Sequence, residues 1–243
     1  MANKKYEFTG KTRLVDGRTL RQICAIIAFS DVAAGEIGGW IETESNLSES
    51  GNAWVFGNAE VFGNAKVYGD AEVFGSAKVY GDAWVYGNAW VCGDAKVSGY
   101  ARMCGGASVS GDASVSGNAE VSGAAEVFGS AKVYGDAWVF GNAWVYGDAR
   151  AYGDARVCGD ARVCGNAEVY GSSKVSGNAK VYGNAKVYGC SWVYGNAKVY
   201  GDAKVSGYAW VCGDAKVCGD AKVYGYAKVY GSADCIKGES NGK

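Results

Sequence analysis

From Gly51 to Ile236 one six-residue phrase repeats thirty-one times without an insertion or deletion. That phase limits the fold more than any other feature of the chain. Position one is always Gly, and position two is mostly Asp or Asn. Position three is Ala except at Ser173 and Ser191, and position five is Val except at Met103, Ala151 and Cys235. Position four varies among Lys, Arg, Glu, Trp and Ser, with Asp only at Asp234. Position six is Tyr or Phe in eighteen hexads.

Ala and Val two apart, alternating with variable residues, give the period of a strand with one face inward. Gly adopts positive φ without steric cost, and Asn and Asp tolerate it better than most residues. Each hexad therefore reads as a short strand and a corner. So short a strand cannot bury its inner face alone, but stacked coils can, with Ala and Val along the axis and strands pairing in parallel. Three hexads per coil give a triangular prism of about ten coils and ~50 Å at the usual strand spacing. Gly at every sixth position and apolar residues two apart exclude an amphipathic helix. Trp84, Trp138 and Trp192 recur at an interval of 54 residues, as do Cys104, Cys158 and Cys212. That interval is three coils, so it returns each residue to the same side.

An aliphatic residue followed four places on by a small one, as in Val55 then Ala59 and Val67 then Ala71, resembles the hexapeptide-repeat, left-handed parallel β-helix superfamily. The resemblance covers residues 51–236. It implies an all-β fold, a single-stranded left-handed parallel β-helix. The handedness comes from the resemblance alone, since ordinary crossovers between parallel strands are right-handed. One departure stands out: the residue after the aliphatic is usually small in that family, and here it is mostly Tyr or Phe.

Residues 1–44 do not follow the hexad. YEFTG and TLRQICAIIAF read as strands, and VDGR between them carries a two-residue hairpin signal. We expect a β-hairpin cap over 1–44, the β-helix over 45–236 with SNLSES as a degenerate first hexad, and a polar tail over 237–243. Open β-helix ends invite edge-to-edge pairing unless covered, and Trp40 and Ile41 are the residues expected over the first coil. This stretch, followed by Y-G-N/D-A-x-V repeats, resembles bacterial and prophage-type proteins described as hexapeptide-repeat transferases, although a fold does not settle a function.

The chain has no His, no Pro and a formal net charge of −1. Enzymes of the resembled superfamily use a His as general base, and its carbonic anhydrases bind zinc through three His, so neither site carries over. Nor does the repeat contain an inserted loop of the kind that shapes their substrate clefts. Eleven hexads carry Asp at position two, all with one signature, that of a turn residue bonding its own backbone. No phosphate-binding Gly loop is present. The nine Cys are odd in number and lack a CxxC, which points to reduced thiols rather than a disulfide framework or a zinc site. Cys158 and Cys164 lie near Arg156 and Arg162, a setting that would lower a thiol pKa. No catalytic residue, cofactor or metal is expected.

What remains is surface. Counting by threes places Trp84, Arg102, Trp138, Arg156, Trp192 and Trp210 on one side, and large exposed aromatic stripes mark contact surfaces. Another side is mainly basic, which stacked ladders explain as a solvated face. The reading is a non-catalytic scaffold or binding module, a homo-oligomer (trimer or end-to-end stack) with room for a protein or glycan partner. The alternatives are a divergent acyltransferase working without His, and a nucleic-acid surface on the basic C-terminal half, which near-neutral charge disfavours. Met1 to Glu7 lead into no apolar run and nothing approaches a membrane span. The expected setting is the reducing cytoplasm, or a virion if phage-encoded.

Overall fold

The computed structural model describes residues 4–231 and 235–242; of the last hexad, Ser232 to Asp234 lie outside the described residues. The chain divides into two compact units, Met1–Gly117 and Asn118–Lys243. Each is an all-β parallel solenoid, consistent with the β-helix expected. Among the described residues the only helical piece is one 3-10 turn, Glu44–Asn46, and no helix is long and apolar enough to cross a membrane.

Within each unit the strands form three sheets, and neighbouring strands of the repeat, from Trp54 to Val229, are 18 residues apart in the chain. In the first unit Trp84 pairs with Arg102, Trp90 with Ser108 and Lys96 with Ser114. In the second Trp138 pairs with Arg156, Trp144 with Arg162 and Arg150 with Glu168. Three hexads thus make one coil. The backbone amide of position four reaches the position-three carbonyl of the next coil, as from Trp84 to Ala101 and from Trp192 to Ala209, both at 2.9 Å.

Among the described residues, Ala at position three and Val at position five are buried throughout the repeat. Met103 and Ala151 take the Val position and are equally buried. Ser173 and Ser191 replace Ala, and each hydroxyl is satisfied: Ser173 donates to the Tyr170 carbonyl at 2.9 Å and Ser191 to that of Tyr188 at 2.8 Å. A buried hydroxyl without such a partner would be costly.

The corners stack as closely as the strands. Gly81 has φ +73°, and a Cβ there would lie 3.0 Å from the amide nitrogen of Gly99. Two requirements therefore meet at one position: a left-handed backbone, and no side chain between successive corners. At position two the coils are tied by side chains. Asn64 Nδ2 donates to Asp82 at 2.9 Å in the first unit, and Asn118 to Asp136 at 2.8 Å and Asn196 to Asp214 at 2.9 Å in the second. These Asp residues thus accept bonds from the neighbouring coil, whereas the sequence suggested local turn bonds. Outside the core, position-six rings stack face to face, as in Tyr68 with Tyr86 and Tyr152 with Tyr170, both 4.9 Å apart.

The N-terminal segment builds onto one of these sheets. Strands β1 (Tyr6–Val15) and β2 (Arg18–Ala25) form an antiparallel hairpin with Val15 opposite Arg18. Asp16 and Gly17 between them both have positive φ, the type I′ geometry that Asp-Gly favours. Strand β3 (Ile37–Ile41) pairs antiparallel with β2 and parallel with the strand at Glu60. Trp40 therefore lies beside Glu60 and Ile41 beside Val61, inside a sheet. Ile41 is buried like the Val residues, and Arg13 lies 4.4 Å over the Trp40 ring. Asn46, at position two of the degenerate hexad, is buried and donates to the Gly63 and Ala65 carbonyls, both at 2.9 Å.

Trp54 occupies position four yet is fully buried. Tyr6 and Phe29 meet it edge to face, at 6.2 and 5.4 Å. Lys5 is buried beside them, with Nζ donating to the Ala53 carbonyl at 2.8 Å. Desolvation lowers its pKa to about 8, partly countered by the Glu49 charge.

The C-terminal end contains a register slip. Ile236 pairs with Val217, one residue beyond the 18-residue step. A one-residue slip exchanges inward and outward side chains. Cys235 is thereby displaced from the inward position and forms a disulfide with Cys218, with Cα atoms 5.9 Å apart. This corrects the expectation of reduced thiols throughout; the other seven Cys are free. Within the segment read as a polar tail, Glu239–Gly242 is a strand paired with Lys222–Gly225.

Two outcomes follow. G57A introduces only left-handed strain, about 1–2 kcal/mol, because nothing lies within 4 Å of the added Cβ. G81A adds a collision with the next corner, so urea denaturation is expected to show the larger loss for G81A; equal losses would remove the stacked-corner constraint. The second concerns Lys5. Below about pH 8 the fold must hold a buried ammonium; between there and 10.5 the unfolded chain binds a proton that the fold does not. Stability then rises with pH through this window. The Tyr6 phenol, which burial pushes well above its ordinary value of 10.0, opposes the rise at the alkaline end. Urea midpoints measured from about pH 8 to about pH 9.5, within that window, are expected to climb in the wild type and stay flat in K5M.

Candidate functional site

Outward side chains at position four form straight ladders, because each strand registers on the next at an 18-residue step. In the second unit one ladder holds Trp138, Arg156, Lys174, Trp192, Trp210 and Lys228 on consecutive rungs. Trp138 is 44% and Trp192 43% exposed. Arg156 lies 5.0 Å over the Trp138 ring, Trp192 and Trp210 stack at 5.5 Å, and Lys228 lies 4.8 Å over Trp210. These contacts run along the ladder, so each ring is held by its rung neighbours. A shallow groove of about 570 Å³ opens beside this ladder, lined by Asp136, Asp154, Arg156, Ser172, Lys174 and Trp192 among others.

In the first unit Trp84 sits between Lys66 at 5.8 Å and Arg102 at 5.7 Å. A smaller depression of about 210 Å³ is lined by Asp82, Trp84, Tyr100 and Arg102. Each unit thus has its own Trp–cation ladder. Of the six surface candidates, Trp84 and Arg102 stand together in the first unit, and Trp138, Arg156, Trp192 and Trp210 in the second. Trp40 and Ile41, the expected cap contacts, lie on β3 next to Glu60 and Val61.

Sequence reasoning missed part of the aromatic surface. Tyr208, Tyr226 and Tyr230 are 55%, 65% and 73% exposed, and Tyr208 stacks on Tyr226 at 5.2 Å. For Tyr208 and Tyr226 the signal was present, Tyr at position two where Asp or Asn is usual; Tyr230 is at position six, where Tyr is common. Trp90, on another ladder, is 51% exposed.

The chemistry beside these ladders is not that of an activated nucleophile. Burial pushes the Cys158 thiol up despite Lys174 and Arg156, which pull the other way. Proximity to cations had suggested the reverse; desolvation outweighs them because Cys158 is buried. Among the described residues no group of three or more Cys, Asp or Glu is placed to hold a metal ion.

Residues 77–93 match the family model described as the YdcK β-solenoid repeat. Over 37 residues the chain is 54% identical to the uncharacterized acetyltransferase YdcK of Escherichia coli strain K12. That match covers 15% of this chain and spans only 11% of the relative's length. With the strict hexad and the three-strand coil, these similarities fit a hexapeptide-repeat-like β-helix family.

Proposed function

We propose that the protein is a non-catalytic β-solenoid scaffold that associates with a second copy of itself through the Trp-bearing ladder of the second unit. The observation that carries this reading is the surface itself, on which Trp138 and Trp192 stand exposed on the ladder that holds Arg156, and the Tyr208–Tyr226 stack stands exposed two residues before Trp210 and Lys228. Trp, Tyr and Arg are the residues enriched at protein contacts and at their energetic centres. The same strip carries carboxylates at Asp136 and Asp154 next to cations at Arg156 and Lys174. A strip with both signs can pair with its own copy about a two-fold axis. Strand spacing supplies identical rungs in both copies, so projecting aromatic edges can interdigitate without reshaping the backbone.

The partial likeness to a protein named as an acetyltransferase supports a second reading, an acyltransferase working without His. It predicts binding of acetyl-CoA, and calorimetry showing none at millimolar ligand would remove it. For the scaffold reading, the triple variant W138S/W192S/W210S is expected to keep its far-UV circular dichroism. In sedimentation velocity it should lose a concentration-dependent dimer formed by the wild type. A wild type that stays monomeric, or a variant that still dimerises, would overturn self-association through this face.

A further inference from the structure

A different ladder of the second unit carries only cations over four consecutive rungs. Arg162 pairs with Lys180, Lys180 with Lys198 and Lys198 with Lys216, all in parallel register. At the usual strand spacing these charges stand ~4.8 Å apart along one line. Like charges directly opposite each other on neighbouring strands repel. On the other basic ladder the cations of the outer rungs, Lys186 and Lys222, are each relieved by a carboxylate. Glu168 pairs with Lys186 at 3.3 Å and Glu239 with Lys222 at 2.9 Å. Among the described residues no carboxylate forms an ion pair with Arg162, Lys180, Lys198 or Lys216. The neighbouring corner is neutral over the middle rungs, where Asn178 donates to Asn196 and Asn196 to Asp214, at 3.2 and 2.9 Å.

The detail of the ladder narrows what would relieve it. Three of the four cations are Lys, compact point charges on flexible stems, each able to meet one anionic group. The one Arg turns its guanidinium onto Trp144 at 4.5 Å. The flanking rings, Tyr182 and Tyr200, stack on each other at 4.9 Å and 3°, so one face of each is closed to a nucleic-acid base. The Tyr182 phenol is a donor at the edge of the track, and burial pushes its pKa up. A sugar unit advances an extended chain by about the width of one ring, close to the strand spacing.

We propose that Arg162, Lys180, Lys198 and Lys216 form a track for a linear acidic polysaccharide, with carboxylates of successive sugars held on successive rungs. This surface lies on another ladder from the proposed self-association face, so the two readings fail separately.

The test is fluorescence anisotropy with labelled oligogalacturonate at low salt, comparing the wild type with K180Q/K198Q and with K186Q/K204Q on the other basic ladder. All three are first checked for equal thermal melting, which exposed Lys substitutions are expected to leave intact. The expected result is binding that weakens as salt rises from about 50 to 200 mM. K180Q/K198Q should weaken it about tenfold or more, with little change in K186Q/K204Q. No binding at low salt, or equal losses in both double variants, would overturn the track. Single-stranded DNA bound as tightly and lost with the same pair would replace the acidic glycan by a nucleic acid.

Discussion

The stacking of left-handed Gly corners is the constraint on which the rest of each unit depends. A corner at Gly81 or Gly177 approaches the next corner closely enough that no side chain fits between. That approach keeps successive strands at hydrogen-bonding distance, which sets the 18-residue register seen in both units. The register brings Ala over Ala and Val over Val along the axis, and every outward residue over its counterpart one coil later. Had the corner demanded more room, the ladders would not exist.

Once the ladders exist, the surface obeys a rule different from that of an ordinary globular domain. Neighbours outside are chosen by an 18-residue interval, and each pair of rungs either stacks, pairs or repels. Tyr152 on Tyr170 and Trp192 on Trp210 stack. Glu168 with Lys186 pairs. Lys180 with Lys198 repels. The core is nearly uniform, so what distinguishes one part of a unit from another is written in positions two, four and six. Function in such a chain is therefore sought in the rungs, and two of them, the Trp ladder and the cation ladder, depart most from a merely solvated face.

The ends show where a repeat stops being self-sufficient. Trp54 holds a position that faces water in most hexads, yet it is buried because Tyr6 and Phe29 close over it. Lys5 is buried with them, its ammonium held by the Ala53 carbonyl. At the other end the slip at Ile236 moves Cys235 onto Cys218, and a polar segment becomes the strand Glu239–Gly242. Each feature covers backbone or core that the next coil would otherwise have covered.

By itself the sequence determined the periodic part: strand and corner in every hexad, three hexads to a coil, the inward Ala and Val, the Asp16–Gly17 turn, and which Trp and Arg share a ladder within a unit. These follow from local rules, alternation along a strand and positive φ at Gly, that hold at every repeat. Only the tertiary structure decided the burial of Trp54 and Lys5, the place of Trp40 and Ile41 within a sheet, the disulfide at Cys218, and the bonds that carry Asn64 to Asp82 and Asn196 to Asp214. Those depend on contacts between residues far apart in the chain, or on a single departure from the repeat. Periodicity describes what every coil does, and it is silent about a residue whose environment differs from that of its counterparts.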